Sequence, residues 1–576
     1  MVSFNELKRN LKKDFSGFEK IKLALLSDSA SQLLNEAIRA YGYEAKQDLE
    51  IYEADYNQID LQVFDPASEL YNFKPDFIFI NRSTEKLLVD FYKENKQSQK
   101  DFSKNIIAET KDYYDVIKKQ LKSKIIINTF PEINDSVFGN FAAKTEYSFI
   151  YQLRKANVAL MDLSREAKDM LVCDLASIQS ELGYRFVFDP KMYVTADMVY
   201  SLDFLPYIAS SITSVIQSVT GTFMKCLVLD LDNTMWGGVI GDEGMEGIEL
   251  GHFGLGKIYT EFQLWVKQLK ERGIIIAVCS KNTEEVAKAP FLAHPDMVLH
   301  IDDIAVFLAN WENKADNIRY LQSVLNIGFD SMVFVDDSRF EREMVRSALP
   351  EITVPELPED PAEYLLYLRT LNLFETASYT EEDEMRTRHY QQAAERNMLL
   401  PGFDNRDDFL KDLGMAAEVR KLDDFTIPRV AQLTQRSNQF NLRTVRYTEE
   451  DLRRISKDPQ YYVMSLSLKD RFGDHGLVGV VILKKESEET LFIDSWIMSC
   501  RVLKRGMENF TLNVIAELAA ANNFKKLIGE YIPTKKNGIV MDHYRDLGFE
   551  SIGDGWVLDV AGYKRNDTFI NANITF

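Results

Sequence analysis

The segment CLVLDLDNTMWGG, which begins at Cys226, places two carboxylates directly after a short apolar run. Asp230 and Asp232 end a predicted strand, where residues i and i+2 point the same way. Both carboxylates therefore face one crevice, at the edge where open α/β sheets bind ligands. Because neighbouring carboxylates repel each other, a divalent cation would relieve the repulsion. The pattern predicts metal-assisted chemistry.

The strands that follow along the chain also end in polar groups. VCSKN supplies Ser280, VFVDDS supplies Asp336 and Asp337, and Lys314 lies on a polar stretch between them. Together with the first two aspartates, these groups provide a nucleophile, an acid/base, a hydroxyl, an ammonium group and a further metal ligand. That set is sufficient for phosphoryl transfer through an aspartyl phosphate.

In this order the motifs resemble those of the haloacid dehalogenase (HAD) superfamily of Mg²⁺-dependent phosphatases. The resemblance implies Asp230 as nucleophile and Asp232 as general acid/base. The phosphate-binding residues that it implies are Ser280, Lys314, Asn233 and Thr234. The Mg²⁺ ligands that it implies are Asp230, Asp232 through its backbone carbonyl, and Asp336.

The spacing of the motifs limits what covers this site. Asp232 and Ser280 are 48 positions apart, and Ser280 and Lys314 are 34 apart. Neither interval holds a full α/β cap in addition to its helix and strand, so we predict a capless domain with a short Gly-rich flap over 237–251. Such a site needs cover from another domain or from a bulky substrate.

Near the C-terminus, MSCRVLKRG joins a predicted strand to an amphipathic helix. This turn resembles the Arg/Gln-x-x-Gly-x-Gly/Ala turn of the GNAT acyltransferases, whose backbone amides hold the pyrophosphate of a pantetheine carrier. Lys504 replaces the middle glycine. Candidate pantetheine or acyl-site residues, from this turn, from RSNQFN and from the family's later Asn and Tyr positions, are Arg501, Lys504, Gly506, Asn537, Tyr544, Asn438 and Asn441.

Cys500 lies between that strand and helix. The helix dipole with Arg501, Lys504 and Arg505 would lower the pKa of its thiol, which favours a nucleophilic thiolate. His475, in DRFGDHGLVG, is the histidine that we predict as its base. The alternatives are a packed core cysteine and an ordinary hairpin loop.

Along the whole chain, LDLDNT, WGGVIGDEG, RSNQFNLRT, DRFGDHGLVG and SCRVLKRG resemble the FkbH-like family. The resemblance implies an enzyme of polyketide or related biosynthesis that takes 1,3-bisphosphoglycerate, a small phosphorylated C3 substrate. It would remove the ester phosphate and load the glyceryl unit as a thioester onto the phosphopantetheine arm of an acyl carrier protein, with Cys500 attacking the acyl phosphate. A plain Mg²⁺-dependent phosphatase of a small phosphoester and a non-enzymatic carrier-protein docking scaffold remain alternatives.

The elements that position these motifs form an α/β multidomain fold. Residues 1–215 alternate helices with strands predicted from Ile21 onward and at 77–80, 125–128 and 158–163, which indicates a flavodoxin/SGNH-like parallel sheet. Residues 216–372 repeat the pattern as a capless HAD Rossmann-like domain, with strands predicted at 225–231, 274–279, 297–301 and 332–335. Residues 373–410 are predicted as an exposed charged linker helix, and 411–576 as an α+β GNAT-like domain.

LLSDSA in the first domain resembles the GDS block of the SGNH hydrolases, with Ser27 or Ser29 as nominal nucleophile. No histidine precedes His252, so this domain cannot assemble a Ser–His pair. We therefore predict a non-catalytic role, such as covering the HAD site or docking a carrier protein.

Composition narrows the possible partners. The 68 Lys and Arg against 89 Asp and Glu give a formal net charge of −21, which argues against nucleic acid or an anionic membrane as partner. Four cysteines form no disulfide framework, and no apolar run reaches the roughly 18 residues of a membrane span. These features predict a cytoplasmic enzyme.

Overall fold

The structure is a computed structural model that describes residues 2–221, 223–399, 405–437, 439–534, 536–553 and 555–575. The chain divides into two compact units, residues 1–220 and 221–576. The predicted α/β multidomain fold class is confirmed, because each of the three expected domains has its own sheet. None of the described helices combines the length and the apolar character that a bilayer crossing requires.

The first unit is built on a parallel sheet with strand order β2-β1-β3-β4-β5. The strands are β1 (Glu19–Ser27), β2 (Gln47–Glu53), β3 (Phe77–Asn81), β4 (Lys124–Asn128) and β5 (Met170–Cys173). The helices are α1 (Phe4–Leu7), α2 (Gln32–Glu44), α3 (Ile59–Phe64), α4 (Glu69–Phe73), α5 (Thr84–Lys93), α6 (Lys96–Lys100), α7 (Phe102–Gln120), α8 (Phe149–Glu166), α9 (Leu175–Leu182), α10 (Tyr184–Val187), α11 (Pro190–Ala196) and α12 (Leu205–Thr220). This strand order places the ligand crevice of a doubly wound sheet between β1 and β3.

The strand predicted over 158–163 is wrong. These residues belong to α8, and the fifth strand of the sheet is β5. Leu153, Leu160 and Leu163 are buried at helical spacing, so the apolar run VALMDL is one face of a helix.

The second unit begins with a four-stranded parallel sheet of order β8-β7-β6-β9. Its strands are β6 (Cys226–Leu229), β7 (Ile275–Ser280), β8 (Val306–Ala309) and β9 (Met332–Val335). Its helices are α13 (Ile240–Glu243), α14 (Gly256–Glu271), α15 (Glu284–Ala293), α16 (Lys314–Leu325), α17 (Arg339–Ala348) and α18 (Tyr364–Thr370). Because the strands are parallel, the loops after β6, β7 and β9 meet at one edge.

The strand predicted over 297–301 is also wrong. The Oε1 atom of Gln263, on α14, accepts hydrogen bonds from the backbone N–H groups of Val298 at 3.0 Å and Leu299 at 3.3 Å. A side chain therefore satisfies these backbone donors, and the edge strand β8 forms only after this segment.

A connecting region follows with α19 (Glu381–Glu384), α20 (Arg386–Leu399) and α21 (Arg406–Asp412). The helix expected here to be exposed is instead buried along one face. Tyr390 lies in the core of the β6–β9 sheet, and Gln391 Nε2 donates to the carbonyls of Asp302 at 3.0 Å and Ile304 at 2.9 Å. Arg396, also buried, contacts the C-terminal sheet. Helix α20 therefore joins the two sheets of the second unit.

The C-terminal sheet has the order β15-β16-β14-β13-β12-β11-β10-β17. Its strands are β10 (Ala416–Lys421), β11 (Tyr461–Asp470), β12 (Gly473–Lys485), β13 (Thr490–Met498), β14 (Lys526–Gly529), β15 (Glu550–Ile552), β16 (Gly555–Asp559) and β17 (Asn571–Thr575). Its helices are α22 (Ile427–Arg436), α23 (Glu449–Ile455), α24 (Met507–Ala521) and α25 (His543–Asp546). Parallel strands β13 and β14 pair only from Thr490 to Phe492, although β13 continues to Met498. The two strands therefore separate after Phe492, six residues before β13 ends.

Candidate functional site

Three carboxylates converge at the carboxyl edge of the β6–β9 sheet. Asp230 follows β6, Asp336 and Asp337 follow β9, and one oxygen of each lies within 4.8 Å of the others. Lys314, the first residue of α16, donates from Nζ to Asp230 Oδ1 at 2.9 Å and to Asp336 Oδ2 at 2.5 Å. The sheet thus brings together residues that are far apart in the sequence.

The electrostatics of this cluster reflect its burial. Burial raises the pKa of Asp336 to about 7 and that of Asp337 to about 6, and the negative charge of Asp230 adds to both shifts. Burial alone would lower the pKa of Lys314, but the charges of Asp230 and Asp336 raise it instead. The carboxylates therefore repel one another, and their oxygen atoms are the hard ligands that suit a divalent cation such as Mg²⁺.

Asp232 is held in place by three hydrogen bonds. Its Oδ1 accepts from Trp236 Nε1 at 2.9 Å and from the backbone N–H of Ile240 at 3.0 Å, and its Oδ2 accepts from Asn282 Nδ2 at 3.2 Å. Burial raises the pKa of Asp232, and the charge of Asp230 adds to the shift. A raised pKa favours the protonated form that a general acid needs.

The remaining predicted phosphate ligands lie on the same edge. Asn233 adopts a left-handed backbone conformation with φ of 53°, and its Oδ1 accepts from the backbone N–H of Gly238 at 2.9 Å. Thr234 Oγ1 accepts from the backbone N–H of Asp337 at 3.2 Å. Ser280 is the buried last residue of β7. The side chains of Asn233 and Thr234 therefore hold the loops that position the carboxylates.

The segment between β6 and β7 contains α13, a loop and α14. Gly237 and Glu249 exchange backbone hydrogen bonds at 3.0 and 2.9 Å, which closes the base of a short flap. Beyond the flap Phe253 is 90% exposed, Trp311 in the loop after β8 is 73% exposed, and Phe340 in the first turn of α17 is 71% exposed. Three large aromatic side chains of this domain are therefore exposed to solvent.

In the C-terminal domain, the ring of His475 is buried at the start of β12. Its Nε2 lies 2.8 Å from Asp470 Oδ2 and 2.9 Å from Arg396 Nη2. Burial lowers the pKa of His475 although Asp470 opposes the shift, so the imidazole is neutral at pH 7. Its Nδ1 has no hydrogen-bond partner among the described residues. The side chain of Cys500 lies outside the described part of the chain, so the predicted Cys–His pairing stays a prediction.

The turn between β13 and α24 differs from a glycine-rich turn in one informative way. Lys504, which stands where the GNAT pattern has glycine, adopts the left-handed conformation with φ of 62°, and Gly506 does so with φ of 82°. Glycine would take this conformation without strain. Arg501, half-buried, donates from Nε to Ser499 Oγ at 3.3 Å. The backbone of the turn thus keeps a glycine-like shape with a lysine in it.

Asn441 and Asn537 are fully buried, and the side chain of Asn537 bonds to the loop that contains Asn441. Asn537 Nδ2 donates to the carbonyl of Asn441 at 3.0 Å, and Asn441 Oδ1 accepts from the backbone N–H of Thr444 at 2.8 Å. Tyr544 is also buried, against Gly529, where an added Cβ would lie 2.3 Å from the tyrosine Cζ. These contacts tie the loops beside the separated strands together. The other predicted residue of this group, Asn438, lies outside the described residues.

Comparison with known proteins identifies the family. Residues 22–217 match the family profile described as FkbH, N-terminal domain. A crystal structure of the N-terminal part of a Bacteroides fragilis protein, containing a phosphatase domain and complexed with Mg, is 51% identical to this chain with a TM-score of 0.63. That match covers 66% of this chain and 100% of the Bacteroides chain. The chain belongs to the FkbH-like family.

Other comparisons add less. A ribosomal-protein-S18-alanine N-acetyltransferase from Escherichia coli is 13% identical to this FkbH-like chain, with a TM-score of 0.21. The match covers 26% of this chain and 97% of the Escherichia coli chain. A Vibrio cholerae spermidine N-acetyltransferase is 11% identical to this chain, with a TM-score of 0.20. The match covers 25% of this chain and 96% of the Vibrio cholerae chain. A search of curated proteins returns no match to the chain.

Several residues of the FkbH-like chain that the sequence analysis did not select take part in these sites. Asn282 binds the predicted acid/base, and its one signal is its position two residues after Ser280. Asp337, which the sequence analysis named beside Asp336 without giving it a role, joins the carboxylate cluster. Arg396 had no signal, because it lies in a charged segment far from DRFGDHG.

In the first unit, the two candidate serines lie at the end of β1. Asn81 Nδ2 donates to Ser27 Oγ at 2.9 Å, and the two hydroxyl oxygens of Ser27 and Ser29 are 3.4 Å apart. Tyr200 OH donates to Asn81 Oδ1 at 3.3 Å, and burial raises the pKa of this tyrosine well above its usual value. Both serines are buried; the amide of Asn81 is a side-chain partner of Ser27, and the neutral phenol of Tyr200 is in turn a partner of Asn81. Neither partner is a base for a serine nucleophile.

Glu85, near the start of α5, is expected to make the stability of this unit depend on pH. Burial raises the pKa of Glu85 from 4.5 to about 7, and the charge of Asp28 adds to the shift. Because the folded state binds the proton more tightly than the unfolded chain, this contribution is complete below the unfolded pKa and is lost as pH rises through the folded pKa. We expect the unit to lose on the order of 3 kcal/mol of stability between about pH 4.5 and pH 7.5.

Glu85→Gln should remove this dependence and stabilise the unit at about pH 8 relative to wild type. The measurement is peptide-resolved hydrogen exchange of the full chain in urea, comparing variant and wild type at each pH. Glu94→Gln, at an exposed position that ends α5, should retain the wild-type profile. Identical pH profiles for Glu85→Gln and wild type would show that Glu85 ionises normally in the folded unit.

Proposed function

We propose that this FkbH-like protein is a bifunctional phosphatase and glyceryl transferase. It would dephosphorylate 1,3-bisphosphoglycerate and load the glyceryl unit as a thioester onto an acyl carrier protein. The observation that carries the phosphatase half is the cluster of Asp230, Asp336 and Asp337 around Lys314, with Asp232 on the same loop. The crystallised Bacteroides relative, with its phosphatase domain and Mg, supports the same assignment.

The residues present fit Mg²⁺. Asp230, Asp336 and Asp337 offer hard oxygen ligands within 4.8 Å of one another, and the backbone carbonyl of Asp232 would complete the set. The mutual repulsion of the carboxylates, visible in the raised pKa of Asp336, is a cost that a divalent cation offsets. When bound, Mg²⁺ would neutralise charge on the phosphoryl oxygens.

The phosphatase reaction follows from the positions of the two aspartates. The Asp230 carboxylate attacks phosphorus and forms an aspartyl phosphate, while the ester oxygen leaves with the proton of Asp232. Asp232 then takes a proton from water, whose oxygen attacks the phosphorus and restores the Asp230 carboxylate. Lys314 and Ser280 hold the phosphoryl oxygens. Asn282 and Trp236 orient Asp232 through the hydrogen bonds described above.

The transfer reaction is assigned to the C-terminal domain. The Cys500 thiolate would attack the acyl carbon of the donor, form a C–S bond and displace the phosphate of the acyl phosphate. The thiol of the carrier's pantetheine arm would then attack this thioester, receive the glyceryl unit and release Cys500. His475 would accept the thiol proton at Nδ1, with Asp470 beside its Nε2. The first unit has a non-catalytic role in this proposal, such as cover or carrier docking.

The test is incubation of the full chain with Mg²⁺, 1,3-bisphosphoglycerate and a holo-carrier protein, followed by intact-mass analysis of the carrier and a phosphate assay. The proposal predicts a glyceryl adduct on the carrier without the ester phosphate. Phosphate release without a carrier adduct would indicate a plain phosphatase. Absence of both would indicate a docking scaffold. An apo-carrier without the pantetheine arm is the control and should gain no mass.

A further inference from the structure

Helix α20 brings an arginine to the hairpin between β11 and β12. Arg396 is 1% exposed, and its Nη2 donates to Asp470 Oδ2 at 2.8 Å. Arg505, just before α24, donates from Nη1 to the same oxygen at 3.3 Å, and His475 Nε2 lies 2.8 Å from it. The guanidinium of Arg396 also stacks on Phe472, with its Cζ 5.2 Å from the ring centroid. Two guanidinium groups and an imidazole therefore surround one carboxylate oxygen.

The charges of this cluster do not balance. Burial alone would raise the pKa of Asp470, but the hydrogen bond from His475 and the positive groups around it lower this pKa to about 2, so Asp470 carries one negative charge. Burial and the charge of Arg396 lower the pKa of Arg505 to about 9, which still leaves it protonated at pH 7. The positive charge of Arg501 also acts on both of these arginines. The cluster therefore has a buried excess of positive charge, which is costly unless an anion accompanies it.

Unused hydrogen-bond donors point to the same conclusion. Arg396 Nε and Nη1 are buried and have no hydrogen-bond partner among the described residues. Buried polar atoms of a folded protein normally have partners. An anion with several acceptor oxygens would satisfy the arginine donors and the excess charge together.

We propose that Arg396 and Arg505 form a binding site for the phosphate group of the acyl-phosphate donor. The site is next to the turn that begins at Cys500, because Arg505 belongs to that turn and Ser499 donates its backbone N–H to Val478 of β12 at 2.8 Å. Assigning the phosphate to the donor rests on the proposed transferase function. As the thiolate forms its C–S bond, the C–O bond to phosphate breaks, and the leaving phosphate keeps the electron pair and stays paired with the arginines.

The experiment measures binding of inorganic phosphate and of acetyl phosphate to the full chain by calorimetry, with EDTA present. Without a divalent cation, the carboxylates of the Asp230 cluster repel phosphate, so the measurement reports on the arginine site. Wild type should bind both ligands, and Arg505→Gln and Arg396→Gln should each weaken binding about tenfold or more. Arg505→Lys retains the positive charge and should lose less phosphate affinity than Arg505→Gln. Arg388→Gln, at an exposed position of the same helix, should bind like wild type.

The outcomes separate the possible sources of the phosphate group. 4′-Phosphopantetheine is tested alongside, because its phosphate offers the same chemistry on the carrier side. Tighter arginine-dependent binding of 4′-phosphopantetheine than of acetyl phosphate would overturn the assignment to the donor. Absence of phosphate binding in wild type, or equal binding in folded Arg396→Gln and Arg505→Gln, would overturn the site. Because no turnover is involved, loss of phosphatase or transfer activity leaves this test unaffected, and the two proposals fail separately.

Discussion

Asp230→Asn is expected to reduce Mg²⁺-dependent phosphate release to below about one per cent of wild type. An amide cannot act as the nucleophile, so no aspartyl phosphate forms. Folding should survive, because the change is nearly isosteric and removes one of the three carboxylates that repel each other around Lys314. The measurement is phosphate release from 1,3-bisphosphoglycerate, or from a generic phosphomonoester, with and without Mg²⁺.

Two further variants make this result specific. Asp316→Asn changes an exposed carboxylate on α16, two residues after Lys314, and should retain wild-type activity. Asp232→Asn should also lose most turnover, because its amide cannot supply the proton for the leaving oxygen. More than a few per cent of wild-type activity in folded Asp230→Asn would contradict the assignment of the nucleophile.

The same variant separates the two halves of the proposed function. If transfer does not depend on dephosphorylation, Asp230→Asn should load the carrier with a glyceryl unit that still has its ester phosphate. Intact mass distinguishes this product from the unphosphorylated one. An unloaded carrier would show that the phosphatase step must come first.

The carboxylate cluster was predictable because its geometry follows from local rules. Asp230 and Asp336 each directly follow a buried apolar strand, and parallel strands place their carboxyl ends at one edge. Lys314 begins α16 beside them, with its side chain buried between the two aspartates. The assignment of the two strands was therefore enough to predict that these residues lie close together.

Two strands were misassigned because short apolar runs are ambiguous. The run at 158–163 fits a strand or a helix face, and only the burial of Leu153 and Leu160 on the same side resolves it. The run at 297–301 is mostly apolar and partly buried, but two of its backbone N–H groups donate to the side chain of Gln263 instead of to a neighbouring strand. A hydrogen bond to a side chain more than thirty positions away cannot be read from local sequence.

The arginine site could not be predicted for a related reason. Arg396 lies in a segment rich in charge, where the default expectation is exposure to solvent. Its burial depends on α20 packing between two sheets, through contacts such as those of Tyr390. The ion pair between Arg396 and Asp470 thus depends on tertiary packing, and no local sequence pattern predicts it.

The second large effect is expected at Cys500. Among the four cysteines, Cys226 and Cys279 are buried in strands, and burial raises the pKa of both thiols, which suppresses the thiolate. Cys500 instead begins the turn at Cys500–Val502 that precedes α24, with Arg501 and Arg505 following it. A helix N-terminus and neighbouring guanidinium groups favour the thiolate. We therefore expect this cysteine to be the one that attacks the acyl phosphate.

Wild-type enzyme incubated with 1,3-bisphosphoglycerate without a carrier should gain a hydroxylamine-labile adduct, and Cys500→Ala should not. An acyl phosphate is already activated, so a thiolate within reach of its carbonyl is sufficient to form the thioester, and alanine offers no nucleophile. Loading of the carrier should fall by at least about a hundredfold, while phosphate release at the Asp230 site should remain close to wild type.

Cys226→Ala, which removes a thiol buried in β6, should still form the adduct. If Cys500→Ala loads the carrier at the wild-type rate, the glyceryl unit passes directly from the donor to the pantetheine thiol, and the arginines would then position the donor for that direct attack.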